Sequence, residues 1–439
     1  MAYVFYVSVV PLDQGGMMRF RAVVSVLCAL GLAACSAARF TVLESPSDEG
    51  LYTSLFPYYA EFCALSEIKK KPGHGVEVVG GGPGGHSVLY LNGACRVADA
   101  GYPTIALCPE DGAMEGRGVG ISVNSHFQNA NWVATEGRQF FFHGDVAPGE
   151  GLTERDYERT QAKARRMGIL DGIVFHPEVI GDKPPGMSDR DYMYEVSVAT
   201  DYAVAFGRDR YCARVPMDRS EMGEIVDYLN RLNEPYRTGR REFEWDVLRN
   251  NCAHMVHNAL AAVGLWDDWP TDRFVLFAAF DFPVPKNEFV NLMRRTNDMP
   301  LTDPQALYED GTARASLLRE NRLATMPGAL AQAERAIRPN EIYDTDLRLI
   351  FYDEPIFGHY QQRFDQIFTE RRYTDLRTNL AHFSALYDAI LTEGRSGWPP
   401  SGAPPDLDKF ATDYHAYIAH QKEAVDRWLA ALPPDQPMR

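Results

Sequence analysis

The run Asn250-Asn251-Cys252-Ala253-His254 places a thiol where a helix should begin. Asn is a strong N-cap, and Met255, Val256, Ala259, Leu260 and Val263 recur at helical spacing before Gly264 ends the pattern. Cys252 then falls in the first turn, where unpaired backbone N–H groups and the helix dipole favour a thiolate, the setting of a cysteine nucleophile. Cys252 also lies on the apolar stripe, so a buried structural thiol is the competing expectation. His254 and His257 complete a C-x-H-x-x-H pattern that suggests a metal. On a helix, however, the two imidazoles project roughly opposite to Cys252, so the expectation is no metal and a solvated or interface role for both.

The elements needed to position this cysteine are partly legible. His86–Leu91 reads as a strand, forming a hairpin with Gly75–Val79 across the turn Gly80-Gly81-Gly82-Pro83-Gly84-Gly85. That turn contains the spacing G-x-G-x-x-G, but a dinucleotide site needs a helix after it, and here a strand follows. Further strands are expected at Gly118–Asn124, Gln139–His143, Tyr194–Thr200, Tyr202–Phe206 and Tyr211–Val215. Thr153-x-x-Asp156 and Asp218-x-x-Glu221 resemble capping boxes, the first opening a helix that ends near Gly168, the second one with Met222, Ile225, Val226, Leu229 and Leu232 on one face. A short helix is expected around Pro57–Lys70, with the proline in its first turn. Residues 304–337, 359–371, 374–393 and 407–431 read as helices. The apolar run Arg273–Phe282 reads as a buried segment, and Trp132 in HFQNANW as a core residue at a turn or the wall of a substrate groove. Strands followed by the cysteine helix make an α+β domain.

From Met17 the chain reads MMRFRAVVSVLCALGLAACS: two arginines, then an apolar run too short for a membrane span. Residues 1–16 fit no signal region, consistent with a start at Met17 or Met18. The end of the run, Leu32-Ala33-Ala34-Cys35, resembles a bacterial lipobox. The resemblance implies cleavage before Cys35, lipid attachment to it, and, with Ser36 next, transfer to the outer membrane facing the periplasm. Ordinary signal cleavage at a small-residue site is the alternative. Loss of residues 1–34 removes Asp13, Arg19 and Arg21 from 60 acidic and 44 basic residues, leaving 59 and 42, a net charge of −17 with histidine neutral. That charge argues against nucleic acid as a partner. Apart from Cys35, five cysteines remain in the folded part: Cys63, Cys95, Cys108, Cys212 and Cys252. An oxidising periplasm favours pairing, and an odd number leaves one thiol over. The simplest pairing joins Cys95 to Cys108 and Cys63 to Cys212, leaving Cys252 free; sequence alone does not determine this connectivity.

GGHSVLYL around His86, followed much later by RNNCAHMVHNALAAVGL around Cys252, resembles the circularly permuted branch of the NlpC-type papain-like cysteine hydrolases, which includes lecithin:retinol acyltransferase-like proteins and a periplasmic domain family. YCARVPMDRSEMGEIVDYLNRLNEPY is similar to the strand–helix lead-in of the periplasmic members. The resemblance covers residues 73–299. It leaves unexplained an all-helical region (300–439), which composition sets apart, as the export signal sets apart residues 1–34 and the stalk and short helix 35–72 from the permuted papain-like domain (73–299). It implies Cys252 as nucleophile, His86 as general base and, from the strand after His86, a third polar residue among Ser122, Asn124 and His126, with Asn124 favoured. An imidazole within reach takes the thiol proton, the third group holds the ring, and N–H groups at the Asn251-capped helix start, that of Cys252 included, receive the oxyanion. The chemistry is hydrolysis or acyl transfer at an amide or ester of the cell envelope (a peptidoglycan peptide, a lipid or a lipoprotein) without a cofactor. The alternative is a catalytically inactive, lipid-anchored binding or scaffold protein in the same shell. Oligomeric state is not legible.

Overall fold

The computed structural model describes Cys35–Ser36 and residues 49–434, apart from 77–84, 99, 111–113, 279–281, 347–350, 353–357, 394–397, 400–401 and 403. Its centre is a six-stranded antiparallel sheet: β1 Tyr58–Leu65, β2 His86–Asn92, β3 Gly118–Ser122, β4 Val133–Glu136, β5 Arg210–Met217 and β6 Leu330–Glu334. The spatial order is β4-β3-β2-β1-β5-β6. The helices are α1 Glu49–Leu55, α2 Arg138–His143, α3 Glu154–Met167, α4 Pro177–Gly181, α5 Asp189–Ser197, α6 Arg219–Arg237, α7 Cys252–Ala261, α8 Val275–Ala278, α9 Pro285–Asn297, α10 Pro304–Glu309, α11 Gly311–Glu320, α12 Tyr360–Thr369, α13 Leu376–Glu393 and α14 Pro405–Ala431. The fold is α+β. Cys35–Ser36 pairs with Phe351–Tyr352, and Ala94–Arg96 with Ile105–Leu107, as short separate ribbons.

Several elements formed as expected because their local signals are self-contained. Both capping boxes close, at Thr153 for α3 and Asp218 for α6, and α3 ends on Gly168 in the left-handed conformation. Other segments changed identity. The helix expected around Pro57–Lys70 is instead β1, the strand between β2 and β5. All eight of its residues are buried, so its sequence carries neither the two-residue alternation of a half-exposed strand nor a helical stripe. Gln139–His143, expected as a strand, is the helix α2, whose Phe141 ring lies over β3 at Gly120; a Cβ there would come within 2.0 Å of the ring. Tyr194–Thr200 falls largely in α5, capped by Ser188 accepting from the amide of Asp191, a cap absent from the strand reading. Tyr202–Phe206 forms no strand, and Ala199 and Ala203 take left-handed backbone in the loop that crosses the sheet. Beyond residue 300 the region is not all-helical, because 304–337 divides into α10, α11 and the edge strand β6. The hairpin arm expected at Gly75–Val79 falls mostly outside the described residues; β2 pairs with β1 and β3.

Registers fix what each face carries. Leu89 lies opposite Ile121 and Phe62, and Leu91 opposite Val119 and Ala60. These side chains join the core formed with α6, α7 and α9. The alternate positions, His86, Val88, Tyr90, Ser122, Glu61, Cys63, Arg210, Cys212 and Arg214, face the other way, toward α1 and α2. A separate core holds α10, α11, α13 and α14 together around Leu317, Phe383, Tyr387, Phe410 and Tyr414. Disulfides join Cys63 to Cys212 across β1 and β5, and Cys95 to Cys108. Among the described residues no helix is long and apolar enough to cross a membrane.

Candidate active site at the start of β2

Asn251 caps α7. Its side-chain oxygen accepts from the amides of Ala253 at 2.8 Å and His254 at 3.2 Å, while its own amide donates to Nδ1 of His254 at 3.3 Å. A histidine thus fills the place that Glu or Gln takes in an ordinary capping box. His254 Nδ1 is spent as an acceptor, which puts the proton on Nε2, a buried atom without a hydrogen-bond partner. Of the solvated or interface role expected for His254 and His257, both rings take the buried one, between packed elements. His257 Nδ1 lies 2.6 Å from Glu288, Nε2 lies 2.9 Å from the carbonyl of Asp267, and the ring stacks on Trp266. The helix is buried on nearly every side, so its second face meets α9 and the Trp266–Trp269 turn instead of water.

The cap presents Cys252 to the end of the sheet. The free thiol accepts the amide N–H of Ser87 at 3.4 Å. Residues 165 apart in sequence thus meet, and the amide involved belongs to the peptide that joins His86 to Ser87. Burial pushes the thiol above its ordinary range, opposed by the amides of Ser87 and Ala253 and by the Arg208 charge.

His86 opens β2 on the opposite face. Its Nε2 lies 3.0 Å from Ser122 Oγ, and that hydroxyl donates its single hydrogen to the carbonyl of Thr200 at 2.8 Å. His86, Ser122 and the Thr200 carbonyl thus form one hydrogen-bonded cluster on this face. Burial, aided by the charge of Arg208, lowers His86 to about 3, so the ring is neutral. Among the described residues no hydrogen bond joins His86 to Cys252; they share a strand end, and each is at most 7 % exposed.

Of the three expected ring partners, Ser122 lies on His86. Asn124 donates to Asp201 at 2.8 Å and accepts the amide of His126 at 3.1 Å. Burial raises Asp201 to about 6. The sequence reading missed Asp201 and Arg208. Arg208 is 1 % exposed, donates from Nε to the carbonyl of Ala199 at 3.1 Å and from Nη1 to that of Ser66 at 2.7 Å. In FGRDRY its charges read as a solvated turn, and no local signal separates a buried arginine from an exposed one.

The other expected features settle elsewhere. Trp132 is a core residue whose Nε1 donates to the carbonyl of Leu229. Arg273–Phe282 is not uniformly buried, since Phe274 and Val275 face solvent. Glu61, Cys63 and Cys212 cluster closely enough for a metal, but both sulfurs are in a disulfide and Glu61 is held by Arg138. Surface grooves of about 330 Å³ at Glu150–Asp156 with Pro339–Glu341, and of about 260 Å³ at Arg294–Pro300 with Ala306–Asp310, include neither Cys252 nor His86. Comparison with family models, curated proteins and solved structures finds no match.

Proposed function

We propose that this chain is a lipid-anchored protein of the bacterial cell envelope, a cysteine hydrolase or acyltransferase in a permuted papain-like shell, acting on an amide or ester without a cofactor. The observation that carries the reading is the bond from the Ser87 amide to the Cys252 thiol, which joins a capped helix start to the residue following a neutral, buried histidine. Sulfur attacks the carbonyl carbon, and the thiol proton passes to His86, which lies across the strand end on the other face of the sheet, and on to the leaving amine or alcohol. The carbon–heteroatom bond breaks and a thioester remains, to be resolved by water or a second acceptor. The first-turn amides receive the oxyanion. Anchoring through Cys35 rests on the lipobox and on Ser36.

Incubation with an activated aryl ester, followed by intact-mass analysis, tests this. The expected result is one acyl group on Cys252, none on Cys252→Ser, and acylation slower by about 10²-fold or more in His86→Ala. The same acylation of Cys252→Ser overturns the assignment. A second reading, a closed binding shell, is favoured by the depth of the thiol and by its bond to a backbone amide instead of an imidazole. An unmodified wild-type chain decides for it.

A further inference from the structure

We propose that the hydroxyl of Ser87 is the second oxyanion donor of this site, acting beside the backbone N–H of Cys252. The inference rests on the Cys252 assignment above and adds to it a residue on the thiol's own face of the sheet.

The start of α7 supplies fewer donors than an uncapped helix end would. The amides of Ala253 and His254 are taken by the Asn251 side chain, and that of Met255 by the Asn251 carbonyl. Among the described residues this leaves the N–H of Cys252 itself as the uncommitted donor of the first turn. One donor makes a weak hole, because the charge that develops on a carbonyl oxygen accepts more than one hydrogen bond and a buried site must provide them without water.

The strand β2 brings another. Its pairing with β3 stops at Val88, opposite Ser122, and one residue earlier the N–H of Ser87 goes to the Cys252 sulfur at 3.4 Å. Ser87 alternates with Leu89 and Leu91, so its side chain leaves the strand on the face that meets α6, α7 and α9, while His86 points the other way. The surroundings on that face are apolar, with Ala64 directly across on β1. There Ser87 is 0 % exposed, and its Oγ has no hydrogen-bond partner. A hydroxyl left unpaired in such a place destabilises the fold relative to alanine, which would fit the same row. The other serine of this strand end, Ser122, is committed to His86 and to the carbonyl of Thr200. Ser87 therefore holds an unspent O–H next to the attacking atom, and a bound carbonyl oxygen is the acceptor that would satisfy it.

The step needs no further reagent. As sulfur bonds to the carbonyl carbon, the π pair of the C=O moves onto oxygen, and Ser87 Oγ–H and Cys252 N–H each donate a hydrogen bond to it. No proton is transferred at that oxygen. When the carbon–heteroatom bond breaks, the pair returns to rebuild the C=O of the thioester and both donors are released.

The variant Ser87→Ala, made in the full chain, separates this role from a structural one. Acylation of Cys252 by the activated aryl ester should slow about 10²-fold. Alkylation of Cys252 by iodoacetamide, a displacement at saturated carbon that develops no oxyanion, should stay within about twofold of wild type. The urea midpoint should hold or rise, since the change removes an unpaired buried hydroxyl. Equal acylation of variant and wild type overturns the proposal and leaves the Cys252 reading standing. An equal fall in acylation and alkylation also overturns it, since the serine would then only place the sulfur. So does a variant that unfolds more readily or fails to fold, because the hydroxyl would then be holding the structure. A wild-type chain that takes no acyl group removes the reaction itself, and this role with it.

Discussion

The two faces of the central sheet are built from different chemistry. One is apolar: Leu89, Leu91, Ile121, Phe62 and Val215 pack against Met222, Met255, Leu260 and Phe289 of α6, α7 and α9. The other is a buried lattice of charge, where Glu61 accepts from Arg138 at 2.9 Å and lies 3.5 Å from Arg214, which also reaches Glu49. Arg210 pairs with Glu334 and its guanidinium lies 4.1 Å from the ring of Phe142; that of Arg214 lies 4.8 Å from the ring of Tyr52. The apolar face holds its helices through shape, by contacts that any well-fitting hydrocarbon provides. The polar face depends on each partner of a network, since a guanidinium left alone in such a place costs far more than the pair contributes. Cys252 is delivered by the first face and His86 by the second, so the site sits where the two meet, at the strand end.

Breaking the lattice should have the largest effect. Glu61→Leu leaves Arg138 and Arg214 buried without their shared carboxylate and should cost about 3–5 kcal/mol in urea unfolding; a loss under 1 kcal/mol would mean that this face is held by packing as the other is. On the apolar face, Leu260→Ala should cost about 3 kcal/mol through lost burial and a cavity, and by the same amount at pH 5 and pH 8. A marked pH dependence would blur the distinction between faces. The smallest effect is a gain. Asp201 is raised to about 6 from 3.8 because burial disfavours its anion, so the stability present below about pH 4 is lost as pH rises toward 6. Asp201→Asn cannot ionise, and its stability should match wild type at pH 4 and exceed it well above pH 6 by roughly 3 kcal/mol. Parallel stability curves for the two proteins across that range would show that Asp201 ionises freely where it stands.

Legibility followed how far a signal had to reach. Asn251 before an apolar stripe, Thr153 before Asp156 and Asp218 before Glu221 each fold by contacts within one turn, and all three helices start where their caps stand. Strands exposed to one another but not to water were harder. Tyr58–Leu65 is buried on both faces and lacks a period, and Leu330–Glu334 lies so far along the chain that only its pairing with β5 makes it a strand. Whether the histidines of α7 would meet water or a neighbouring element was not legible, because a helix wheel shows where side chains point, not what waits there. Ser122 was among the candidates for the histidine's partner, but choosing it over Asn124 needed the strand register: position 122 shares a face with His86, and Asn124 lies beyond the strand's end.

The order of residues alone determined that a thiol would stand in the first turn of a capped helix, because a cap and the amides it satisfies lie three residues apart. It also made the number of cysteines beyond Cys35 odd, and the structure pairs four of them and leaves Cys252 over. Only the tertiary structure decided that the sulfur would meet the amide after His86, that the imidazole would turn to Ser122, and that Arg208 would lie buried on the carbonyls of Ser66 and Ala199. Burial and the field of a distant charge are properties of what the chain brings together, and no window of sequence contains them.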